Sequence, residues 1–260
     1  MIPLKIHFTK YQGTGNDFIL VNNISGSIKL TSEQIKDLCD RKFGIGSDGL
    51  ILIEPSEKAQ FYVNFYNPDG SVSFCGNGSR CALHFAFSEN ICGAVATFDA
   101  VDGLHSGSVS VNEVEISMRD VHEIEERDNG LFLQTGSPHL IVLVDDVEKV
   151  DLIPMARNIR YSAKYKEQGI NVNVVHQINK DEIQMRTYER GVEDETLSCG
   201  TGVTAAALSV ALENENQHEI HVHTRGGDLS VRFDPTEDGG FEGIWLKGPV
   251  ARVFTGEAEI

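Results

Sequence analysis

A duplication limits the folds open to this chain more than any other feature. Gln12-Gly13-Thr14-Gly15-Asn16-Asp17-Phe18 is echoed by Gln134-Thr135-Gly136-Ser137-Pro138-His139-Leu140, an offset of about 122 residues. Each copy runs into an apolar β-type segment, Ile19-Leu20-Val21 in one and Ile141-Val142-Leu143-Val144 in the other, so both read as a turn entering a strand. Phe61 to Tyr66, ending in Asn67, matches Ile183 to Tyr188, ending in Glu189, in strand-like alternation. A polar loop then leads to Cys75-Gly76-Asn77-Gly78 in one copy and Cys199-Gly200-Thr201-Gly202 in the other. Each opens a small-residue apolar segment that reads as a helix, Ser79 to Glu89 and Val203 to Glu213. Asp102-Gly103 and Gly226-Gly227-Asp228 read as turns between later strands, among them Val109 to Val111 and Leu229 to Phe233.

Each half is therefore strands, one buried helix, then more strands, which makes the class α+β. The halves are expected as residues 1–125, carrying Cys75, and 126–260, carrying Cys199. The charged run from His122 to Gly130 reads as a solvated connector between them. Homologous halves commonly pack about a pseudo-two-fold axis and bind ligands in the cleft between them.

The bulk composition narrows the function. A formal net charge of -17 repels phosphate backbones and anionic lipid surfaces, so neither nucleic acid nor membrane is an expected partner. The N-terminus has no basic stretch followed by an apolar run of signal length, and a cytoplasmic location is expected. Five cysteines, Cys39, Cys75, Cys81, Cys92 and Cys199, are an odd number without CxxC spacing, which disfavours a disulfide framework or structural zinc.

Two of these thiols sit at equivalent helix starts. There the unpaired backbone N–H groups and the positive end of the helix dipole favour thiolate, and neighbouring glycines leave N–H groups open to an anion such as a carboxylate. A lone Cys-Gly-x-Gly is more often a small buried turn, but a matched pair suits acid–base work on two faces of one carbon. Removing an α-proton without pyridoxal leaves charge on the substrate carboxylate, which preorganised N–H donors stabilise. One sulfur must then be thiolate while the other is thiol, and the two titrate jointly. No lysine motif suggests pyridoxal, and no cofactor is expected. Cys39, Cys81 and Cys92 read as core or incidental thiols.

Gly13-Thr14-Gly15-Asn16-Asp17-Phe18, Phe65-Tyr66-Asn67-Pro68-Asp69-Gly70, Cys75-Gly76-Asn77-Gly78-Ser79-Arg80-Cys81, Tyr188-Glu189-Arg190-Gly191 and Cys199-Gly200-Thr201-Gly202 together resemble the motif set of diaminopimelate epimerases, in order and across nearly the whole chain. The resemblance implies two pseudo-symmetric domains, each a curved, mostly antiparallel sheet wrapped around a central helix. It implies interconversion of L,L- and meso-diaminopimelate for lysine and peptidoglycan synthesis, with Cys75 and Cys199 as the catalytic pair. By position, Asn16, Asn67, Asn171, Glu189 and Arg190 would contact the substrate, chiefly its unreactive end. Gly76, Asn77, Gly200 and Thr201 would supply N–H groups to the reacting carboxylate. His139 would orient the reacting amino group or tune a cysteine. The resemblance is also compatible with a homodimer. Two positions depart from the family pattern: Ser137, where many members have Asn, and Gly49, where some have Gln.

Other imagined sites are weaker. His221-Val222-His223 reads as an exposed strand face, and no metal site is expected. Gly44-Ile45-Gly46-Ser47-Asp48-Gly49 lacks the context of a phosphate loop and reads as a tight turn lining the site. The rival enzymes are proline or hydroxyproline racemases and phenazine-type isomerases. Glu189-Arg190 with Asn67 argues against a substrate that has one carboxylate and no distant ammonium. A two-lobed amino-acid-binding protein is the rival from another class, and it gives no reason for two reactive thiols.

Overall fold

A computed structural model describes residues 5–111, 113–212 and 217–260. The chain forms two compact units, Met1–Ile116 with Gly248–Ile260, and Ser117–Lys247. The first contains β1 (Lys5–Gly13), β2 (Asn16–Asn22), α1 (Ser32–Cys39), β3 (Gly49–Glu54), β4 (Phe61–Tyr66), α2 (Gly76–Ser88), β5 (Val95–Ala100), β6 (Gly103–Val109) and β7 (Glu113–Ser117). The second contains β8 (Ile124–Arg127), β9 (Gly130–Gln134), β10 (Pro138–Leu143), α3 (Leu152–Arg160), β11 (Asn171–Asn179), β12 (Glu182–Glu189), β13 (Asp194–Thr196), α4 (Gly200–Ala211), β14 (Glu219–Thr224), β15 (Gly227–Pro235) and β16 (Phe241–Pro249). The last strand, β17 (Ala251–Glu259), returns to the first unit and pairs antiparallel with β1.

The pairing rules of the two units match strand for strand. In the first, β1–β2 is antiparallel, β2–β3 parallel, β3–β4 antiparallel, β4–β5 parallel, and β5–β6–β7 antiparallel. In the second, β9–β10, β10–β11, β11–β12, β12–β14 and β14–β15–β16 follow the same sequence of directions. β8 pairs with β9 as β17 pairs with β1. The last strand of the chain thus completes the sheet of the first unit, and residue 125, where the halves were expected to meet, falls inside β8.

Each unit is layered. In the first, the sheet curls round α2, which packs against β1, β2, β3, β4 and β6, while α1 covers the outer face. β3 shows why its run Gly49-Leu-Ile-Leu-Ile53 is continuously apolar. Leu50 and Leu52 pack outward with Ile35 and Leu38 of α1, and Ile51 points toward Gly78 of α2. A strand covered on both faces has no polar side to show. In the second unit, α4 packs against β9, β10, β11, β12, β14 and β15, and all twelve of its residues are buried. Leu152 and Ala156 of α3 close the outer face over Leu140, Val172 and Val174.

Three local expectations need correction. Both central helices start three residues earlier than expected, at Gly76 and Gly200, with Cys75 and Cys199 as N-caps, because the glycines tolerate helical geometry once their first-turn N–H groups need no partner within the helix. α2 ends at Ser88, one residue short of Glu89, and Glu213 lies outside the described residues. The run from His122 to Gly130 is not a solvated connector: it holds β8, pinned where Arg127 stacks over the Phe132 ring at 3.4 Å. Val109 to Val111 is not one strand, since β6 ends at Val109 and the exposed Val111 lies in the turn to β7.

Candidate active site

The thiol in the first unit is set by a turn and a cap. Thr14 and Gly15 both have positive φ, 51° and 82°, the backbone that a two-residue hairpin between twisted strands needs. This puts Asn16 at the head of β2. Its Nδ2 donates to Asp48 Oδ2 at 2.7 Å, so the amide is oriented and Oδ1 faces the helix start. There it accepts from Asn77 Nδ2 at 3.4 Å and, at 3.8 Å, from Cys75 Sγ. Cys75 is half-buried, and its sulfur takes the place of a capping oxygen, accepting Gly78 N–H at 3.4 Å. Behind it, Phe74 stacks on His105 with ring centroids 4.7 Å apart, and His105 stacks in turn on Phe98. Asn67 ties the approaching loop together by donating to Ser71 and Ser73.

Asp48 belongs to a charge cluster rather than a phosphate loop. Arg41 binds both Asp17 and Asp48 at 2.6 Å, and Lys10 reaches Asp17 at 2.6 Å and also the Gly46 carbonyl. Burial pushes the Asp17 carboxyl up, but Arg41 and Lys10 outweigh it and hold it at about 2. Gly49 is glycine for a packing reason: a Cβ there would meet Phe65 at 2.4 Å.

The second thiol has different company. Cys199 is buried, and its Sγ lies 3.5 Å from Thr201 Oγ1, which in turn lies 2.8 Å from His139 Nε2. The direction of this chain can be assigned. Asn173 Nδ2 donates to the Leu140 carbonyl at 3.3 Å, and its Oδ1 accepts from Thr187 at 2.9 Å, so the same Nδ2 must donate to His139 Nδ1 at 3.1 Å. With Nδ1 accepting, the imidazole carries its proton on Nε2 and donates at 2.8 Å to Thr201, whose hydroxyl proton can turn to Cys199; Asn171 Nδ2 lies farther from Nε2, at 3.5 Å, and donates to the Pro138 carbonyl instead. Burial, helped by the charge of Arg190, lowers the His139 pKa to about 3, so the ring is neutral at neutral pH.

Asn171 and Asn173 divide their work. Asn171 accepts from the Arg190 backbone N–H at 2.8 Å and donates to the Pro138 carbonyl, linking β11 to the Glu189-Arg190 corner. Arg190 is exposed, with Nη1 on the Gln168 carbonyl at 2.8 Å, and Glu189 accepts from Thr196 Oγ1 at 3.0 Å. Gly200 and Thr201 form the first turn of α4, and the Thr201 carbonyl is held by Thr135 Oγ1 at 2.7 Å. The first unit thus gathers Asn16, Cys75, Gly76 and Asn77 at one helix start, with Asn67 on the loop before it. The second gathers His139, Asn171, Cys199, Gly200 and Thr201, with Glu189 and Arg190 at the end of β12.

A family model described as diaminopimelate epimerase matches residues 8–97 and 131–253. A diaminopimelate epimerase from Flavobacterium psychrophilum is 45% identical over 249 residues, covering 94% of this chain and 97% of that protein. The chain belongs to the diaminopimelate epimerase family. Another member, from Chlorobaculum tepidum, is 39% identical over 94% of this chain and 98% of its own length. This is a family of isomerases, and the solved structures agree on the fold. A Bacillus anthracis protein of the phenazine biosynthesis PhzF family superposes with a TM-score of 0.78 at 15% identity, covering 99% of this chain and all of that one. A hydroxyproline epimerase from Agrobacterium vitis gives 0.70 at 14% identity, covering 98% and 93%.

Family motifs miss several residues that the geometry makes important. Asp48, Thr135 and Asn173 orient the groups around the two thiols, and their signal in the sequence is no more than position beside a motif. His223 is clamped between Glu182 at 2.6 Å and Asp228 at 2.8 Å, and the two carboxylates raise its pKa. No cluster able to hold a metal occurs among the described residues, and no helix among them is long and apolar enough to cross a membrane. Cys39 and Cys81 are buried with thiols pushed up by burial, and so is the half-buried Cys92.

Proposed function

We propose that this chain interconverts L,L- and meso-diaminopimelate without a cofactor, Cys75 and Cys199 acting on opposite faces of the α-carbon as base and acid. What carries the reading is that each cysteine is the N-cap of its unit's buried central helix, in a chain of this family. The N–H groups at Gly76, Asn77, Gly200 and Thr201 would receive the reacting carboxylate. Preorganised donors of this kind are worth about 3 kcal/mol of barrier each. Asn16, Asn67, Asn171, Glu189 and Arg190 would hold the substrate, chiefly the distal ammonium and carboxylate, a task suited to one carboxylate, one guanidinium and several amides. His139, neutral and donating through Thr201, would support the Cys199 sulfur.

The same reading places the enzyme in lysine and peptidoglycan synthesis, in the cytoplasm, as a homodimer. It treats residues 1–125 and 126–260 as the two products of a duplication, a view supported by the matched pairing of the two sheets. The test is proton NMR of L,L-diaminopimelate in heavy water with reduced enzyme. Loss of the α-proton signal with growth of the meso form is expected. Cys75→Ser and Cys199→Ser should each slow epimerisation by at least ~100-fold. A folded, reduced protein that exchanges no α-proton of diaminopimelate would sink the substrate assignment, and proline-type substrates would be tried next.

A further inference from the structure

The corner that ends β12 is built on a carboxylate that the proposed reaction does not use. Residues Arg190 to Glu193 join β12 to β13, with Glu189 paired to Asp194 across the base of the turn. Two of these residues have positive φ, Gly191 at 92° and Glu193 at 59°. Glycine takes that backbone freely. A residue with a side chain takes it only at a cost, and keeps it where its surroundings fix it.

The Glu193 carboxylate supplies that fixing. Its Oε1 accepts the Gly191 N–H at 3.2 Å and Arg160 Nε at 3.1 Å, with Arg160 Nη2 at 3.0 Å. Its Oε2 accepts the hydroxyls of Tyr161 at 2.9 Å and Tyr188 at 3.1 Å. The Glu193 N–H donates to the Glu189 carbonyl at 2.8 Å, and the Glu193 carbonyl accepts from Arg157 at 3.4 Å. One residue thus ties the end of α3, the end of β12 and the turn together. Burial pushes its carboxyl up, but the Gly191 N–H, the two tyrosine hydroxyls and Arg160 outweigh it, so Glu193 is ionised at neutral pH.

Two arginines lie beside this corner. A Cβ on Gly169 would meet Arg190 Cγ at 2.8 Å and Arg160 Cζ at 3.3 Å, so both side chains pass over the same glycine. Guanidinium groups this close compete for any carboxylate in reach, and Glu193 goes to Arg160, whose Nη1 also donates to the Tyr165 and Lys166 carbonyls. Arg190 is held by neutral oxygens among the described residues: its backbone N–H on Asn171 Oδ1 and its Nη1 on the Gln168 carbonyl, each at 2.8 Å. We propose that Glu193 is a positioning residue for substrate recognition: its carboxylate fixes the Glu189-Arg190 corner and engages Arg160, leaving the Arg190 guanidinium for the distal carboxylate of the substrate. This rests on the function proposed above. A guanidinium on a fixed stem can grip a carboxylate through two parallel bonds, and one that swings loses that alignment.

The test is steady-state epimerisation of L,L-diaminopimelate by the whole chain. Glu193→Gly keeps the left-handed turn without strain and removes the carboxylate, so KM should rise about tenfold while kcat falls less than about threefold. Glu193→Gln keeps the shape but loses the charge facing Arg160, and should raise KM about threefold. Because the effect runs through Arg190, Glu193→Gly should lower kcat/KM by less than about twofold once Arg190→Ala is present. An unmoved KM in either variant, a loss confined to kcat, or equal losses with and without Arg190→Ala would overturn the proposal. If Glu193→Gly does not fold, Glu193→Gln read in the same cycle decides. A wild type without turnover removes the function and this inference together, whereas an active wild type with unmoved variants removes the inference alone.

Discussion

At the scale of single residues, the two helix starts differ in how much room they leave. A Cβ on Gly202 would lie 2.7 Å from Asn173 Oδ1 and 3.2 Å from His139 Cε1, so the His139–Thr201 chain can approach only because residue 202 has no side chain. A Cβ on Gly78 would meet the end of Ile51 at 3.2 Å, and a terminal methyl can yield where an oriented amide cannot. Gly202→Ala should therefore cost about 1–3 kcal/mol of stability and Gly78→Ala less. Urea unfolding of both variants checks the order, and equal losses would contradict the assigned network. Both glycines are plain in the motif, but the reason for Gly202 lies in residues 29 and 63 positions earlier, which only folding brings to it.

At the scale of elements, α1 shows how a short helix holds its place. Its eight residues are too few to be stable alone. A capping box closes its start, with Thr31 Oγ1 accepting Gln34 N–H at 3.2 Å and the Gln34 side chain accepting Thr31 N–H at 2.9 Å. Ile35 and Leu38 then seal the outer face of β3. Thr31→Ala should cost about 1 kcal/mol, read as a lower urea midpoint with unchanged slope. Thiol reactivity at Cys75 should stay as it was, because α1 and α2 lie on opposite faces of the sheet. The central helices were legible from their small apolar residues, but their first turns were not, since Gly-x-Gly carries no helical signal until the sheet around it makes the turn the only compact path. β8 was hidden for the opposite reason: its charges read as solvent, and its partner β9 exists only in the fold.

At the scale of the whole molecule, protonation links the site to stability. The unfolded chain binds a proton on His139 near pH 6.5, whereas the folded chain resists until about 3. Between those values the unfolded state holds more protons, so stability falls as pH is lowered, by at most about 1.4 kcal/mol per pH unit from this group. Asp17 adds a loss of the same sign as pH falls below the usual carboxylate value toward about 2. His223, with its raised pKa, works the other way: its contribution is full below the unfolded value and is lost as pH rises. Urea midpoints at pH 7, 5.5 and 4.5 should decline for the wild type and decline less steeply for His139→Gln. An unchanged slope in that variant would show that His139 does not set the trend.

The amino-acid sequence by itself determined the duplication, the α+β class and the matched cysteines, because these depend on periodicity and local turn chemistry. It also carried the family resemblance, residue by residue. The fold alone decided which neighbours each thiol has. Cys75 has Asn16 and Asn77 beside it, Cys199 has Thr201 and, through it, His139, and a buried Arg80 stands five residues beyond Cys75 where Thr204 stands five beyond Cys199. The repeat makes the two cysteines formally equivalent along the chain. Burial and hydrogen-bond geometry distinguish them, because the energy of a charge depends on what surrounds it in space and not on its place in a motif.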